Sequence, residues 1–406
     1  MMCKYFSNKH LNHIADEVPT PFYVFSPEKF KQNIQSLKQA FLDEYTNFKI
    51  CYAAKTNFLP DVIQCASEAG AAIEIVPGIE SDVLSKAGLW NKDIVVNGPL
   101  KSASELSKAM AEDASINVDN ITELELLNGL AIEQNKTVSC GIRVKQNDEL
   151  EDWSRFGFSI EAGDAEKVLK KIQKDFKNLR VNSIHMHMGT NNNDLASYSS
   201  SVKNIANWCA KMDEASLLEL EILNVGGGYS SDCPLKPKED GWTNPSNKQL
   251  AKAICRPLKS ALGDLRPMLV IEPGRRLVDD CFVFLSTASR FIDLDKTQLI
   301  LDSTYSMFPS YGHRAHKVSV LNKEAEVAIK RYDIFGGSPI HFDCVRKSYK
   351  LPSIDLGDIL IIHNAGAYSI NMSSNFNRYL PNIVKLGKRG SYEIIQSARN
   401  YESLFE

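Results

Sequence analysis

The sequence has 406 residues, which is long enough for two domains. Hydrophobic residues make up 43% and charged residues 24%, as in ordinary globular proteins. Its net charge of −3 argues against nucleic-acid and anionic-membrane partners, and no apolar run is long enough to span a bilayer. The N-terminal segment MMCKYFSNKHLNHIADE lacks the apolar stretch of a signal peptide, so we expect a cytoplasmic protein.

From residue 26 to residue 272, short apolar runs alternate with longer stretches whose apolar residues lie three and four apart. The short runs predict eight strands, at 48–54, 71–76, 93–97, 115–118, 138–144, 181–187, 219–225 and 268–272. The longer stretches predict eight helices, at 26–43, 59–69, 79–87, 102–112, 121–133, 163–177, 195–213 and 247–263. This alternation predicts an α/β fold, a (β/α)8 TIM barrel, with an open doubly wound sheet as the alternative.

The C-terminal third of the chain has a different pattern. Strands predicted at 282–288, 297–302, 317–321, 325–330, 358–363 and 392–396 are not separated by long helices. We therefore predict a barrel domain at 26–276 and a mostly β domain at 277–406. Residues 1–25 are assigned to the β domain, because a strand at 21–25 is not needed to complete the barrel.

In a barrel of this type, the active site lies where the strands end. The residues at these ends are Lys55, Glu74, Asn97, Gly98, Asp119, Arg143, His187, Met188, Gly189, Thr190, Gly226, Gly227, Gly228, Glu272, Pro273, Gly274 and Arg275. A lysine, a histidine, acids, arginines and glycines in one place fit a phosphate-bearing cofactor with an acid–base partner.

Each of these residues also has a simpler interpretation. Lys55 follows the apolar segment CYAA, where poor solvation favours a neutral amine that can attack an aldehyde, but a lysine can also reach solvent. The three glycines at 226–228 suit close approach to a phosphate, and they also suit a plain turn. Arg275 could bind phosphate and Glu272 could keep a ring nitrogen protonated, or the two could form a surface ion pair.

Metal binding is the least favoured interpretation. His185 and His187 alternate along one predicted strand, as in a metal pair, a histidine stacked on a cofactor ring or a core histidine. No acid or cysteine lies at a good spacing for a third ligand. The nine cysteines are scattered and contain no CxxC pair, so we predict neither a zinc site nor a disulfide framework.

Nine segments, in this order, resemble the fold-type III enzymes that use pyridoxal 5′-phosphate (PLP), the ornithine, diaminopimelate and arginine decarboxylase family related to alanine racemase. The segments are TPFYVF, CYAAKTN, INVDNITELELL, RFG at 155–157, HMHMGT, NVGGGY, IEPGRR, LPSIDLGD and NAGAYSINMSSNFN. The resemblance implies a PLP-binding barrel plus a β domain, an amino-acid-like substrate, and a homodimer whose active sites are built from both subunits.

The same resemblance implies roles for individual residues. Lys55 would bind PLP as a Schiff base, His187 would stack on its ring, and Glu272 would pair with the pyridine nitrogen. Arg143 would support the side of the ring that carries the hydroxyl, with Glu80 nearby. The phosphate would be held by Thr190, Gly227, Gly228, Gly274, Arg275 and Tyr368.

Two segments depart from the family pattern. Family decarboxylases carry a motif, roughly G-P-x-C-[DE]-x-x-D, whose cysteine helps to return a proton to Cα from across the dimer interface. Counting back from Leu351 without gaps places Pro339 in the register of that cysteine and Asp343 at the last acid of the motif. Cys344 and His341 are then the candidate proton donors besides Lys55.

The second departure concerns substrate recognition. Diaminopimelate decarboxylases usually have an arginine that grips a carboxylate before the proline corresponding to Pro309, where this chain has Phe308. Arg314 lies close but is shifted, and Tyr311, Arg314 and Asp343 are the predicted substrate contacts. These changes place free diaminopimelate and free ornithine in doubt.

We therefore predict a PLP-dependent carbon–carbon lyase that removes the α-carboxylate of an amino acid or an amino-acid conjugate. Conjugated substrates occur in specialised metabolism such as siderophore biosynthesis, an analogy at the level of the family. The alternatives are a PLP-dependent racemase or other Cα chemistry, and a non-catalytic PLP-binding regulatory relative.

Overall fold

Eight parallel strands form a closed barrel in the computed structural model, which describes residues 5–146, 155–236, 241–323 and 329–404. The strands are Phe48–Ala53, Ala72–Ile75, Val95–Val96, Ser115–Val118, Val138–Lys145, Leu179–His185, Ile222–Asn224 and Met268–Ile271. Each strand pairs with the next in this order, and the last returns to the first, with Leu269 opposite Phe48. The predicted barrel is confirmed, and the closed ring excludes the open sheet.

Helices form at all eight predicted places: the first precedes the first barrel strand, and each of the other seven follows a barrel strand. They are Pro27–Leu42, Pro60–Glu68, Ile79–Ala87, Ala103–Ala111, Ile121–Glu133, Asp164–Asp175, Leu195–Glu214 and Asn247–Leu262. The first begins after Ser26, whose Oγ accepts the Lys29 N–H at 3.4 Å, with Pro27 at the first helical position. In the described part of the chain no helix is long and apolar enough to cross a membrane.

A second, mostly antiparallel sheet of nine strands is formed by the N-terminal strand and the C-terminal third of the chain. Its strands are Phe22–Phe25, Phe282–Phe291, Gln298–Leu301, Val318–Val320, Lys330–Phe335, Cys344–Leu351, Ile359–His363, Asn382–Leu386 and Tyr392–Gln396. Phe22–Phe25 is buried along its whole length, because it pairs with Phe282–Phe291 on one side and Asn382–Leu386 on the other. Phe22, Val24 and Leu285 belong to the core of this sheet.

The chain divides into two compact units. One comprises Ile34–Tyr229 and Pro245–Gly274, and the other comprises Met1–Asn33, Ser230–Asn244 and Arg275–Glu406. We call the first of these the barrel unit and the second the β-rich unit. The segment Ser230–Asn244 belongs to the β-rich unit, whereas the sequence prediction assigned it to the barrel.

Six described α-helices and strands were not predicted from the sequence: the helices Asn8–Glu17 and Arg275–Val278 and the strands Phe158–Ser159, Lys330–Phe335, Cys344–Leu351 and Asn382–Leu386. The helix Asn8–Glu17 buries only Leu11 and Ile14, and Ser7 caps it by accepting the His10 N–H at 3.3 Å. The strand predicted at 325–330 lies mostly outside the described residues.

Candidate active site

Lys55 lies in the short 3-10 turn Ala54–Thr56, directly after the first barrel strand. Its Nζ donates to Glu74 at 2.9 Å from Oε2 and 3.2 Å from Oε1. The Glu74 side chain is fully buried, whereas the Lys55 side chain is 31% exposed. The amine is therefore accessible to a ligand, while a buried carboxylate balances its charge.

Glu272 follows the last barrel strand and is buried in a ring of donors. Its Oε1 accepts from Asn97 Nδ2 at 2.8 Å and from Asn224 Nδ2 at 2.6 Å, and its Oε2 lies 3.3 Å from His185 Nε2. Burial raises the pKa of Glu272, but the charges of His185 and Lys55 and the bond from Asn97 outweigh burial and hold that pKa below its usual range. An ionised carboxylate in such a place can stabilise a cationic nitrogen.

His187 lies two residues beyond the strand Leu179–His185. Burial lowers the pKa of His187 to about 3, and the positive charges of Lys55 and Arg143 act in the same direction. Arg143 Nη1 lies 3.5 Å from Asp119 Oδ1, and the guanidinium lies 5.0 Å from the ring centre of Phe156. The barrel thus presents a neutral imidazole and a cation of fixed orientation, which suits stacking better than proton transfer.

Two of the predicted phosphate-binding glycines lie where the backbone of neighbouring loops is close. A Cβ on Gly227 would clash with the carbonyl oxygen of Glu272 and would come within 3.6 Å of His187 Nε2. Gly228 has φ +94°, and a Cβ there would clash with the carbonyl oxygen of Gly189. Only glycine allows this loop to approach the strand ends so closely.

Gly274 is also required by packing, because a Cβ there would clash with Thr56 Oγ1. That hydroxyl is buried and has no hydrogen-bond partner among the described residues. Thr190, the other predicted phosphate contact of the barrel unit, is exposed.

Arg275 and Tyr368, both predicted phosphate ligands, contact each other in the β-rich unit. The guanidinium carbon of Arg275 lies 4.9 Å from the centre of the Tyr368 ring. Arg275 is buried, and its Nη1 has no hydrogen-bond partner in the described part of the chain. Burial lowers the pKa of Arg275, with the charge of Arg314 acting in the same direction. A buried guanidinium with an unused donor is the chemistry that binds an anion.

Arg314, predicted to contact substrate, is fully buried against Asp279. Its Nη1 donates to Asp279 Oδ1 at 2.7 Å and its Nη2 donates to Oδ2 at 2.5 Å. Nη2 also donates to Ser231 Oγ at 3.0 Å and to the Cys233 carbonyl at 3.1 Å. These contacts favour a structural role over contact with a substrate.

Tyr311 and Asp343, the other predicted substrate contacts, are bonded to each other. The Tyr311 hydroxyl donates to Asp343, and both side chains are buried. Asp343 also accepts from the Ser338 backbone N–H at 3.1 Å and from its hydroxyl. The pair therefore closes the turn at 336–343, and burial raises the pKa of Tyr311 well above its usual value.

The candidate proton donors differ in environment. Cys344 begins the strand Cys344–Leu351 and is half-buried, and burial raises the pKa of its thiol. His341 is exposed, with the ring of Phe342 5.2 Å away, edge to face. Phe308 is fully buried, 5.1 Å from Phe284 and 4.9 Å from His316 between ring centres.

Four barrel residues now have contacts that the sequence did not reveal. Glu74 and Asn97 stood at strand ends without a role, His185 was weighed as a metal ligand, a histidine stacked on a cofactor or a core histidine, and Asn224 was not singled out. Each contacts Lys55 or Glu272. Their position at the ends of barrel strands was the available signal. The described residues contain no group of three or more His, Cys, Asp or Glu that could hold a metal ion.

Comparison with family models matches residues 30–279 to the pyridoxal-binding domain of pyridoxal-dependent decarboxylases. The chain belongs to this decarboxylase family. The reaction of this decarboxylase is accordingly carbon–carbon cleavage in an amino acid, and its cofactor is PLP.

Relatives of this decarboxylase match it along almost their whole length. The diaminopimelate decarboxylase of Aquifex aeolicus is 27% identical over 408 residues, which cover 98% of this chain and 93% of that protein. The diaminopimelate decarboxylase of Methanocaldococcus jannaschii is 26% identical over 414 residues, which cover 96% of this chain and 91% of that protein. A crystal structure of the enzyme from M. jannaschii superposes with a TM-score of 0.88 at 25% identity, covering 97% of this chain and 92% of that one.

The side chains described above have the chemistry that PLP requires. An accessible amine, an ionised carboxylate and a neutral imidazole lie in the barrel unit, and Arg275 in the β-rich unit has an unused buried donor. These groups match an aldehyde, a pyridine nitrogen, a ring face and a phosphate, respectively. When bound, PLP supplies the electron sink for the bond that breaks at Cα.

Proposed function

We propose that this decarboxylase removes the α-carboxylate of an amino-acid conjugate rather than that of free diaminopimelate, and that Lys55 is the residue that binds PLP. The exposed amine of Lys55, held by the buried Glu74, supports the assignment. Glu272 would pair with the ring nitrogen, since it is buried and ionised, and His187 would cover the ring face as a neutral imidazole. Arg143 would support the hydroxyl side.

The phosphate-binding roles that the resemblance implies each have support from local geometry. Gly227, Gly228 and Gly274 supply backbone that can approach closely, and the unused Nη1 of Arg275 supplies a charged donor. Tyr368, whose ring lies against the Arg275 guanidinium, and the exposed Thr190 are the other proposed phosphate contacts.

The observation that carries the substrate proposal is the burial of Phe308. At the place where the resemblance implies a carboxylate-gripping arginine, the side chain belongs to an aromatic cluster with Tyr23, Phe284, Tyr311 and His316. The distal carboxylate of free diaminopimelate would meet no cation at this residue. We therefore favour an amino-acid conjugate, in a specialised setting such as siderophore biosynthesis, over free diaminopimelate.

Two of the relatives favour free diaminopimelate as the substrate instead. The proteins from A. aeolicus and M. jannaschii are diaminopimelate decarboxylases, and one structure of the latter is a co-complex with L-lysine. Identities of 25–27% leave the residues around the substrate free to differ. Free diaminopimelate is therefore the first compound to test against the proposal.

Return of a proton to Cα would come from Lys55, Cys344 or His341. Cys344 keeps its proton at neutral pH, because burial raises the pKa of the thiol, and a protonated thiol can donate. His341 and Phe342 lie exposed on the turn at 336–343, whose family counterpart reaches the active site of the partner subunit. We also propose that the protein is a homodimer with shared active sites. The proposed domain boundaries lie near residues 26 and 276.

The test is CO2 release from a panel of free amino acids and their conjugates with citrate, with the Lys55→Ala variant as control. We expect turnover of conjugates and loss of both activity and the visible absorbance of lysine-bound PLP in Lys55→Ala. Efficient CO2 release from free diaminopimelate would refute the substrate assignment, and a retained absorbance band in Lys55→Ala would refute the lysine assignment. Deuterium uptake at Cα without CO2 loss would indicate a racemase instead.

A further inference from the structure

The amide of Asn97 lies between the two buried carboxylates of the barrel. Its Nδ2 donates to Glu74 Oε1 at 2.9 Å and to Glu272 Oε1 at 2.8 Å. Asn97, Glu74 and Glu272 are all buried. One amide group therefore connects the carboxylate that holds Lys55 to the carboxylate at the end of the last barrel strand.

The orientation of this amide is determined by its neighbours. Asn117 Nδ2 donates to Asn97 Oδ1 at 2.9 Å. Turning the Asn97 amide over would place its oxygen against two carboxylates and its NH2 against another donor. The backbone of Asn97 is also fixed, because its N–H donates to the Ile75 carbonyl at 2.9 Å.

The two carboxylates depend on this amide to different degrees. Glu272 also accepts from Asn224 at 2.6 Å and contacts His185 at 3.3 Å. Among the described residues, the side chain of Glu74 has two partners, Lys55 and Asn97. Losing the Asn97 donor would leave the buried Glu74 carboxylate with Lys55 as its remaining partner among the described residues, 3.2 Å from Oε1 and 2.9 Å from Oε2. Fewer hydrogen bonds to a buried carboxylate favour its protonation or movement.

We propose that Asn97 is a positioning residue, which holds Glu74 and Glu272 at a fixed spacing and so keeps Lys55 and the ring-nitrogen carboxylate in register for PLP. This inference rests on the proposed function, in which Lys55 binds the aldehyde of PLP and Glu272 pairs with its nitrogen. It goes further by assigning the spacing between these two groups to a neutral amide that need not contact PLP itself.

Other groups around the two carboxylates carry charge or titrate, so each variant is compared with wild type at every pH. These groups are Lys55, Glu80, His185, His187, Arg143, Lys49, Asp93 and Cys51. They are the same in the variants, and a ratio of dissociation constants therefore isolates the change at Asn97.

The test measures PLP binding to the apoenzyme of two variants, by visible absorbance, from about pH 6 to about pH 9. Asn97→Ala removes the donor at every pH, and we expect PLP to bind about tenfold more weakly throughout, equivalent to about 1.4 kcal/mol. Asn97→Asp keeps the shape of the side chain. Its carboxyl can donate one hydrogen bond when protonated and repels both neighbours when ionised, so its defect should grow as the pH rises.

Two controls accompany these variants. Asn178→Asp makes the same chemical change at a partly exposed position where the amide donates to the Lys136 carbonyl, and it should bind PLP as wild type does. Lys55→Ala tests the proposed function by itself. If Lys55→Ala still gives the band of lysine-bound PLP, the proposed function fails, whatever the Asn97 variants do.

If Lys55→Ala loses the band but both Asn97 variants bind PLP within about twofold of wild type, the positioning role is refuted. A defect of Asn97→Asp that stays constant from about pH 6 to about pH 9 also refutes it, because a purely structural effect lacks that dependence. Urea unfolding of each apoenzyme identifies a variant that fails to fold, and the shape-conserving Asn97→Asp then decides.

Discussion

Replacing Arg314 with methionine should destabilise the β-rich unit, because Arg314 and Asp279 form a fully buried ion pair. Their two hydrogen bonds measure 2.7 and 2.5 Å, and neither side chain is more than 1% exposed. Breaking such a pair from one side leaves a buried charge uncompensated and costs about 3–5 kcal/mol. Asp279 would keep the Ser231 hydroxyl at 2.6 Å and Asn364 Nδ2 at 3.3 Å, so we expect about 3 kcal/mol.

The loss in Arg314→Met should depend on pH in a defined direction. Burial raises the pKa of Asp279, but Arg314 outweighs burial and lowers it overall. A carboxyl whose pKa is lowered on folding contributes stability above its unfolded pKa, about 3.9, and loses it as the pH falls. Without Arg314 burial dominates and Asp279 becomes easier to protonate. The difference between wild type and variant should therefore be largest near neutral pH and shrink towards about pH 4.

The assay is urea unfolding of the wild type, Arg314→Met and the double variant Arg314→Met/Asp279→Leu, with KM measured in parallel on the substrate identified by CO2 release. The double variant should recover much of the stability, because an apolar pair often replaces a buried ion pair without loss. Unchanged stability of Arg314→Met together with a raised KM and an unchanged kcat would refute this reasoning. That result would make Arg314 a substrate contact.

Three further predictions concern single side chains. The ring protons of His187 should show no NMR titration between about pH 5 and about pH 8, because burial lowers the pKa of His187 to about 3, and a midpoint near 6.5 would contradict a neutral ring. Glu80→Gln should gain stability over wild type as the pH rises from about 5 to about 8. Burial and the charge of Glu74 raise the pKa of Glu80 to about 8 in the folded state, so wild type loses stability over that range, and parallel urea curves without a pH trend would contradict this. Phe308→Ala should cost about 3–5 kcal/mol of unfolding free energy, and a cost below about 1 kcal/mol would show that the ring is not a core residue.

The barrel could be predicted because its strands are buried on both faces. Segments such as Met268–Ile271 read as continuous apolar runs, bounded by helices with regular apolar spacing. The strands Lys330–Phe335 and Cys344–Leu351 lack that pattern, because exposed polar residues alternate irregularly with buried ones. These two strands pair with each other, and pairing between segments distant from the barrel motifs has no signature in a short window.

The candidate site was predictable to the extent that strand ends mark it. Lys55 and Glu272 stand directly after the first and last barrel strands, which the closed ring places side by side. Asn97 also stands at the end of a barrel strand, but its residue type does not indicate a role, since an asparagine after a short strand is as common in turns. Its role depends on partners 23 and 175 residues away in the sequence, and only the folded barrel brings them within hydrogen-bond distance.

The predicted substrate contacts show the opposite limitation. Tyr311, Arg314 and Asp343 have side chains that suit a polar substrate, and they lie near the motifs that the family uses for substrate recognition. Chemical type does not reveal whether a cation or a hydroxyl is paired inside the protein, and here Arg314 binds Asp279 while Tyr311 binds Asp343. Groups that are already paired and buried would have to give up hydrogen bonds to reach a ligand, which costs about 1–3 kcal/mol for each group left unsatisfied. Exposed groups such as His341 and Phe342 bear no such cost, so substrate selectivity is better sought on the turn at 336–343 than among the buried pairs beside it.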